Sequence, residues 1–161
     1  MQITLTTPNE QSFAQIHELI NFYAERREML PKTLDEIYHQ MRGFRVLVSG
    51  DEVIGCAHLD IFGPDLAEIK SLAIKPEYAG QGHGSKLVED CLREAGELGI
   101  TKVFALTYRA EFFHKLGFET TNLESLPEKV FKECVVCPFY GECNETAVIK
   151  NITASQLNSS S

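Results

Sequence analysis

The sequence predicts an α/β domain of the α+β kind: a mixed, mostly antiparallel central sheet of six to seven strands, flanked by helices. Three observations point there. Two runs near the N-terminus place apolar residues at helical spacing. Three strand-like runs between residues 44 and 75 follow one another as an antiparallel meander. A stretch with three alternating glycines, EYAGQGHGSKLVEDCLREAG at 77–96, then leads straight into a helical pattern.

Taken in order, Ser12 caps a first helix in which Phe13, Ile16, Leu19, Ile20 and Tyr23 recur at helical spacing up to about Met29, before Pro31. Thr33 opens a second, short helix with Glu36 completing a capping box, and Leu34, Ile37, Tyr38 and Met41 line one face. FRVLVS (44–49), VIGCAHLDIF (53–62) and AEIKSLAIK (67–75) are strands, the first two joined by a turn at Gly50-Asp51-Glu52. The helix after the glycines carries Leu87, Val88, Cys91, Leu92, Ala95 and Leu98 on one face until Gly99 stops it. KVFALTY (102–108) is a strand, AEFFHKL (110–116) a short helix, GFETTN another strand and ETAVIK (145–150) the last. LESLPEKVFKEC has room for one more helical turn.

At 161 residues the chain suits one domain, placed at 1–150, followed by a small polar tail, 151–161, expected to be disordered. Hydrophobic residues at 43% and charged residues at 24% exclude a disordered or membrane protein. No apolar run approaches the roughly 20 residues that span a bilayer, and MQITLTTPNEQ lacks the pattern of a signal peptide, so a cytoplasmic protein is expected. A net charge of −8 excludes general affinity for nucleic acid. Five cysteines without a secretion signal argue against a disulfide framework.

One glycine between a strand and a helix is explained by a turn that needs positive φ; three at alternate positions, Gly80, Gly82 and Gly84, ask for more. Such a loop aims several free N–H groups, reinforced by the helix dipole, at one point, which suits a phosphate or pyrophosphate. The dinucleotide fingerprint G-x-G-x-x-G fails on spacing, because this loop reads G-x-G-x-G after an antiparallel meander. A Walker loop fails on order, since Ser85 precedes Lys86.

LAIKPEYAGQGHGSKLVEDCL, followed about 30 positions later by FFHKLGF, resembles the GCN5-related N-acetyltransferases (GNAT), whose signature is Arg/Gln-x-x-Gly-x-Gly/Ala between the fourth strand and the third helix. The similarity in element order runs over roughly residues 1–150. It implies a sheet splayed between the fourth and fifth strands, acetyl-CoA as co-substrate, and no metal. It further implies that Gln81, Gly82, His83, Gly84 and Ser85 hold the pyrophosphate and that the backbone of Leu72, Ala73 and Ile74 pairs with the pantetheine arm. For His83 a plain loop role stands beside that of phosphate donor. Ala79 occupies the signature's Arg/Gln position, with Gln81 two residues later. Because most pyrophosphate contacts in the family are main-chain N–H groups, binding is expected to survive this departure.

MLPKTLDEIYHQMRGFRVL, DLAEIKSLAI, VFALTYRAEFFHKLGF and LPEKVFKECVVCPFYGECNETAVIK are similar to the short, stand-alone N-acetylglutamate synthase-like acetyltransferases of bacteria. That resemblance implies acetyl transfer to the α-amine of glutamate, the committed step towards arginine, on a small-molecule amine with a homodimer left open. A dicarboxylate calls for cations in this acidic protein, and Lys32, Lys70 and Arg109, with Arg26 behind them, are the candidates. Each singly also reads as a solvated charge. Glu68 stands where many relatives carry a carboxylate base, although strand alternation equally lets it pair with Lys70. The relatives' usual tyrosine acid is Phe113 here, which leaves Tyr108 as the nearest substitute or as a residue with its hydroxyl at the rim of the core.

Cys134, Cys137 and Cys143 fall one ligand short of a structural zinc site and read as small buried residues or as an adventitious disulfide, while Cys56 and Cys91 read as core. Two alternatives to glutamate remain open: another small amine as acceptor, and a catalytically weak acyl-CoA-binding sensor.

Overall fold

The computed structural model describes residues 2–122, 126 and 145–152. Seven strands form one sheet in the order β1-β2-β3-β4-β5-β7-β6. They are β1 (Ile3–Thr6), β2 (Phe44–Ser49), β3 (Glu52–Ile61), β4 (Leu66–Ile74), β5 (Lys102–Thr107), β6 (Glu119–Thr121) and β7 (Thr146–Asn151). Every pairing is antiparallel except β4 with β5. Strand β1 was not apparent in the sequence. It is a four-residue edge strand, mostly exposed, so it lacks the apolar run that marks an interior strand. At the other end, β7 reaches Asn151 and Ile152 is buried, two residues beyond the boundary that composition suggested.

The helices are α1 (Ser12–Ala24), α2 (Leu34–His39), α3 (His83–Glu97) and α4 (Ala110–Lys115). Asn9, rather than Ser12, supplies the oxygen at the start of α1: its side chain accepts the N–H groups of Gln11 and Ser12 at 2.9 and 3.1 Å. The helix ends at Ala24, short of Met29, because Arg27 adopts a left-handed conformation, φ 57°. There the Arg27 N–H reaches the Ala24 carbonyl and the Glu28 N–H the Tyr23 carbonyl, satisfying the last turn. The capping box of α2 forms as expected, with Thr33 and Glu36 exchanging backbone-to-side-chain bonds of 3.0 and 3.1 Å. Of the face expected to be apolar on α2 only Ile37 is buried; Leu34, Tyr38 and Met41 are exposed. Leu98 is exposed as well, since it follows the last turn of α3, where Gly99 at φ 81° turns the chain away.

Two apolar layers sandwich the sheet. On one face, Leu87, Val88, Cys91, Leu92 and Ala95 of α3 pack on Leu47, Ile54, Ala57, Leu59, Ala67, Ile69 and Val103. On the other, Ile16, Leu19 and Ile20 of α1 with Ile37 of α2 cover Phe44, Val46, Val53, Cys56 and Ala73. Cys56 and Cys91 are core residues, and burial raises their thiol pKa to about 12 and about 11. Leu87 is fully enclosed between α3 and the sheet. Leu87→Ala is expected to lower stability by about 2–5 kcal/mol in urea unfolding, the range for deleting a packed leucine side chain.

Candidate functional site

Strand β4 is paired with β5 over only three positions, Leu66↔Lys102, Ala67↔Val103 and Glu68↔Phe104. Beyond Phe104, β5 continues alongside β7 while β4 runs on to Ile74, so the two strands diverge and leave a gap. Ser71, at φ 54°, makes a bulge in β4 against β3. The bulge moves the following residues one step in phase: Leu72 and Ile74 pack on the α3 side, Ala73 on the α1 side.

The Lys75 N–H bonds the Ile54 carbonyl on the β3 side at 2.8 Å. By alternation the backbone groups of Ala73 also face β3, where it is opposite Cys56, while those of Leu72 and Ile74 face the gap. Ala73 therefore drops out of the expected pairing set, because its backbone belongs to the β3–β4 ladder. Tyr23, from the last turn of α1, donates its hydroxyl hydrogen to the Ile74 carbonyl. Burial raises the pKa of this hydroxyl, partly offset by the charge of Arg109.

The glycine loop closes one end of the gap. Gly80 and Gly82 have φ of 75° and 85°, and a Cβ on either would meet nothing within 4 Å, so they are there for backbone conformation. Gly84 differs: a Cβ would lie 3.2 Å from the Phe112 ring. Gly82 is the N-cap of the 15-residue helix α3. The N–H groups of His83, Gly84 and Ser85 in its first turn have no intrahelical acceptor and point outward with the positive end of the helix dipole. His83 is buried, its ring edge-on to Tyr78, and among the described residues neither ring nitrogen has a hydrogen-bond partner. Gln81 is exposed beside it. An open strand edge running into a helix N-terminus fits an extended ligand with an anionic diphosphate end.

The charged candidates gather on the α1 face of the sheet. The β3–β4 register sets His58 opposite Lys70 and Asp60 opposite Glu68, so all four side chains share that face. The Lys70 ammonium lies 2.9 Å from Asp60 and 3.7 Å from Glu68, so the pairing of Lys70 with Glu68 that strand alternation allowed is shared with Asp60. Lys32 sits nearby on the connection from α1 to α2, which Asn21 anchors by donating to the Lys32 carbonyl at 3.1 Å. Burial depresses the Lys32 pKa, and the charge of Lys70 adds to this, while Glu36, Asp60 and Glu68 oppose it. Among the described residues no carboxylate comes within ion-pair distance of Lys32, which with His17, Asn21, Pro31, Thr33 and Glu36 lines an open depression of about 390 Å³.

Arg109 is exposed at the start of α4, its charge felt by Tyr23 across the gap. Arg26 is not brought to this face as a free cation: its guanidinium stacks on Phe22 at 3.6 Å and bonds the Phe22 carbonyl. Tyr108 is 45% exposed, whereas Phe113 is buried in the core against Phe118. The residues missed from the sequence are Tyr23, His58 and Asp60. Only the register of the β3–β4 hairpin could have pointed to the last two.

The family model described as "Acetyltransferase (GNAT) family" matches residues 11–118. The chain belongs to this family. It is an acetyl-CoA-dependent N-acetyltransferase, and the open β4 edge and α3 N-terminus are the features of this chain that fit the co-substrate. An uncharacterized N-acetyltransferase of Chlorobaculum tepidum is 33% identical over 137 residues, 85% of this chain and 88% of that protein. An amino-acid acetyltransferase of Mycobacterium tuberculosis is 35% identical over 123 residues, 73% of this chain and 69% of that one. The same fold occurs in N-acetylglutamate synthase from Neisseria gonorrhoeae, solved with coenzyme A and N-acetyl-glutamate. The TM-score is 0.85 at 24% identity, over 94% of this chain but only 35% of that longer one. A Mycobacterium tuberculosis structure in complex with CoA gives a TM-score of 0.80 at 25% identity, covering 92% and 99% of the two chains.

Among the described residues no helix is long and apolar enough to cross a membrane, and no group of three or more His, Cys, Asp or Glu is placed to hold a metal ion. Cys134, Cys137 and Cys143 lie outside the described residues, as does the helical turn expected in LESLPEKVFKEC apart from Leu126.

Proposed function

We propose that this acetyltransferase acts on the α-amine of an amino acid, glutamate foremost, in the manner of N-acetylglutamate synthase in arginine biosynthesis. The observation that carries this reading is Lys32: an ammonium without an ion-pair partner among the described residues, beside a carboxylate pair on the face that borders the gap. An acidic protein that keeps one such cation at its site suits an acceptor that brings carboxylates. The amino-acid acetyltransferases among its relatives support the same class of acceptor.

In this reading the N–H groups of Gly82, His83, Gly84 and Ser85 hold the diphosphate, with Gln81 at the edge, and the Leu72 and Ile74 backbones pair with the pantetheine arm. Acetyl-CoA supplies the activated acetyl group as a thioester. Glu68 takes a proton from the acceptor's ammonium, so that the free amine attacks the thioester carbon; the C–N bond forms, the C–S bond breaks, the thiolate leaves with a proton from Tyr108, and the second proton shed by the attacking nitrogen as it becomes the amide restores the Tyr108 hydroxyl. Lys32 and Arg109 hold the acceptor's carboxylates. Lys70, bound to Asp60, acts on Glu68 rather than on the acceptor, and Arg26 has no part.

A thiol-release assay over an amino-acid panel tests this. An ionic contact in a partly enclosed cleft contributes on the order of 1.5–3 kcal/mol, so glutamate should exceed glutamine about ten- to a hundredfold in kcat/KM. Lys32→Met or Arg109→Met should erode that preference chiefly by raising KM, because these contacts hold substrate and transition state alike. Equal turnover of the two amino acids would remove the distal carboxylate from the account and leave an acetyltransferase for another small amine. Tight CoA binding without turnover of any amino acid would make the protein an acyl-CoA sensor.

A further inference from the structure

Tyr23 carries a hydroxyl that packing does not call for. Its ring lies against the apolar layer between α1 and the sheet, edge-on to Phe22, where a phenylalanine would fill the same space. The hydroxyl reaches across to β4 and donates its hydrogen to the Ile74 carbonyl. That carbonyl has a particular place in the fold. Ile74 is the last residue of β4, well beyond Glu68, where the pairing with β5 ends. Its backbone groups face the gap, while those of Ala73 and Lys75 face β3. A strand edge open on that side offers its carbonyls to any extended chain that lies alongside.

The surroundings keep the phenol a donor and keep it in position. Burial raises its pKa, so it retains its hydrogen; Arg109 acts on it across the gap, and Glu28, Arg26 and Glu77 from nearby turns. The end of α1 that carries Tyr23 is closed, because the N–H groups of Arg26 and Glu28 both bond the Tyr23 carbonyl, at 3.1 and 3.0 Å.

We propose that the Tyr23 hydroxyl and the pantetheine arm of the co-substrate are alternative partners of the Ile74 carbonyl, so that Tyr23 is a latch on the gap which the arm must displace. This rests on the reading of the Leu72 and Ile74 backbones as the seat of that arm. In strand-like pairing an amide N–H of the arm donates to the Ile74 carbonyl, and the phenol already donates to it. The hydroxyl oxygen also takes the space against the strand edge into which that N–H would come. Exchange loses one hydrogen bond within the protein and gains one to the ligand, so the latch lowers affinity for a ligand with an arm and leaves the α3 N-terminus untouched. Its benefit lies in the sheet: a carbonyl held by the chain's own phenol does not recruit a foreign strand.

Tyr23→Phe keeps the ring and removes the latch. Titration calorimetry compares coenzyme A with 3′-phospho-ADP, the same molecule without its pantetheine arm. Tyr23→Phe should bind coenzyme A about two- to tenfold more tightly than the parent, the fold-change for one net intramolecular hydrogen bond, and should bind 3′-phospho-ADP as the parent does. Coenzyme A affinity equal to or below the parent's, with coenzyme A still tighter than 3′-phospho-ADP, would overturn the latch and leave the arm on β4. Equal affinities of the two ligands for both proteins would remove the arm from β4, and this proposal with it. A gain for both ligands alike would place the effect in the fold and overturn the latch as well. A second measurement needs no change in affinity. The chain has five tyrosines, so in protein labelled on its tyrosine rings the resonance missing from Tyr23→Phe is that of Tyr23. It should shift when coenzyme A is added to the parent and hold still with 3′-phospho-ADP; a Tyr23 resonance unmoved by coenzyme A would overturn the exchange.

Discussion

Gly82→Asp is expected to abolish measurable coenzyme A binding while leaving the protein folded. Space is not the obstacle, since a Cβ at Gly82 meets nothing within 4 Å. Two other effects act. The left-handed backbone, φ 85°, costs a residue with a Cβ roughly 1–2 kcal/mol. More important, the new carboxylate would occupy the N-cap of α3, where the diphosphate is proposed to sit, and two like charges about 4 Å apart repel by ~4 kcal/mol near a protein surface. That is about a thousandfold in affinity. Aspartate is itself a favourable N-cap, so the helix should survive the change that removes the ligand. Gly82→Ala, which carries the strain without the charge, should keep most of the affinity. Calorimetry with CoA on both variants decides the matter: equal affinities for aspartate, alanine and parent would mean that the loop binds no phosphate.

The second large effect concerns the base. Glu68→Gln preserves shape in a buried position while removing the proton acceptor and the charge that faces Lys70 at 3.7 Å, so kcat is expected to fall by about 10²–10⁴, the usual contribution of a general base, with KM for both substrates nearly unchanged. The deficit should shrink as pH rises, because a growing fraction of the acceptor then arrives as free amine and needs no base. Steady-state kinetics from neutral to alkaline pH would show this as converging parent and variant curves. A variant as fast as the parent at neutral pH would assign the proton to water or to another group.

Much of the fold was legible because its signals are local. The Thr33 capping box is written within four residues, the α3 face within four turns, and the glycine turn between strand and helix within the connection 75–82. The site was legible in part for the same reason: Gly82, His83, Gly84 and Ser85 are consecutive, and their N–H groups take their direction from the helix they begin. Local spacing also marked Glu68 and Lys70 as sharing a face.

Legible along the chain, then, are a meander, a glycine-capped helix and, between them, a glycine turn of a kind that suits an anion. The tertiary structure decided the rest. Asp60 meets Glu68 only through the register of β3 on β4, and that register shifts at Ser71, a serine in a conformation no composition rule assigns to it. Tyr23 read as one more apolar position on α1, yet its hydroxyl reaches a carbonyl 51 residues away. The gap itself belongs to no segment: it exists because β5 stays paired with β7 from Lys102 to Thr107 but with β4 only as far as Phe104. Hydrogen bonds between near neighbours leave a pattern in the sequence that any reader can count, whereas pairings between distant strands depend on where each chain segment finally packs, and the apolar residues that drive that packing are interchangeable in sequence but not in space.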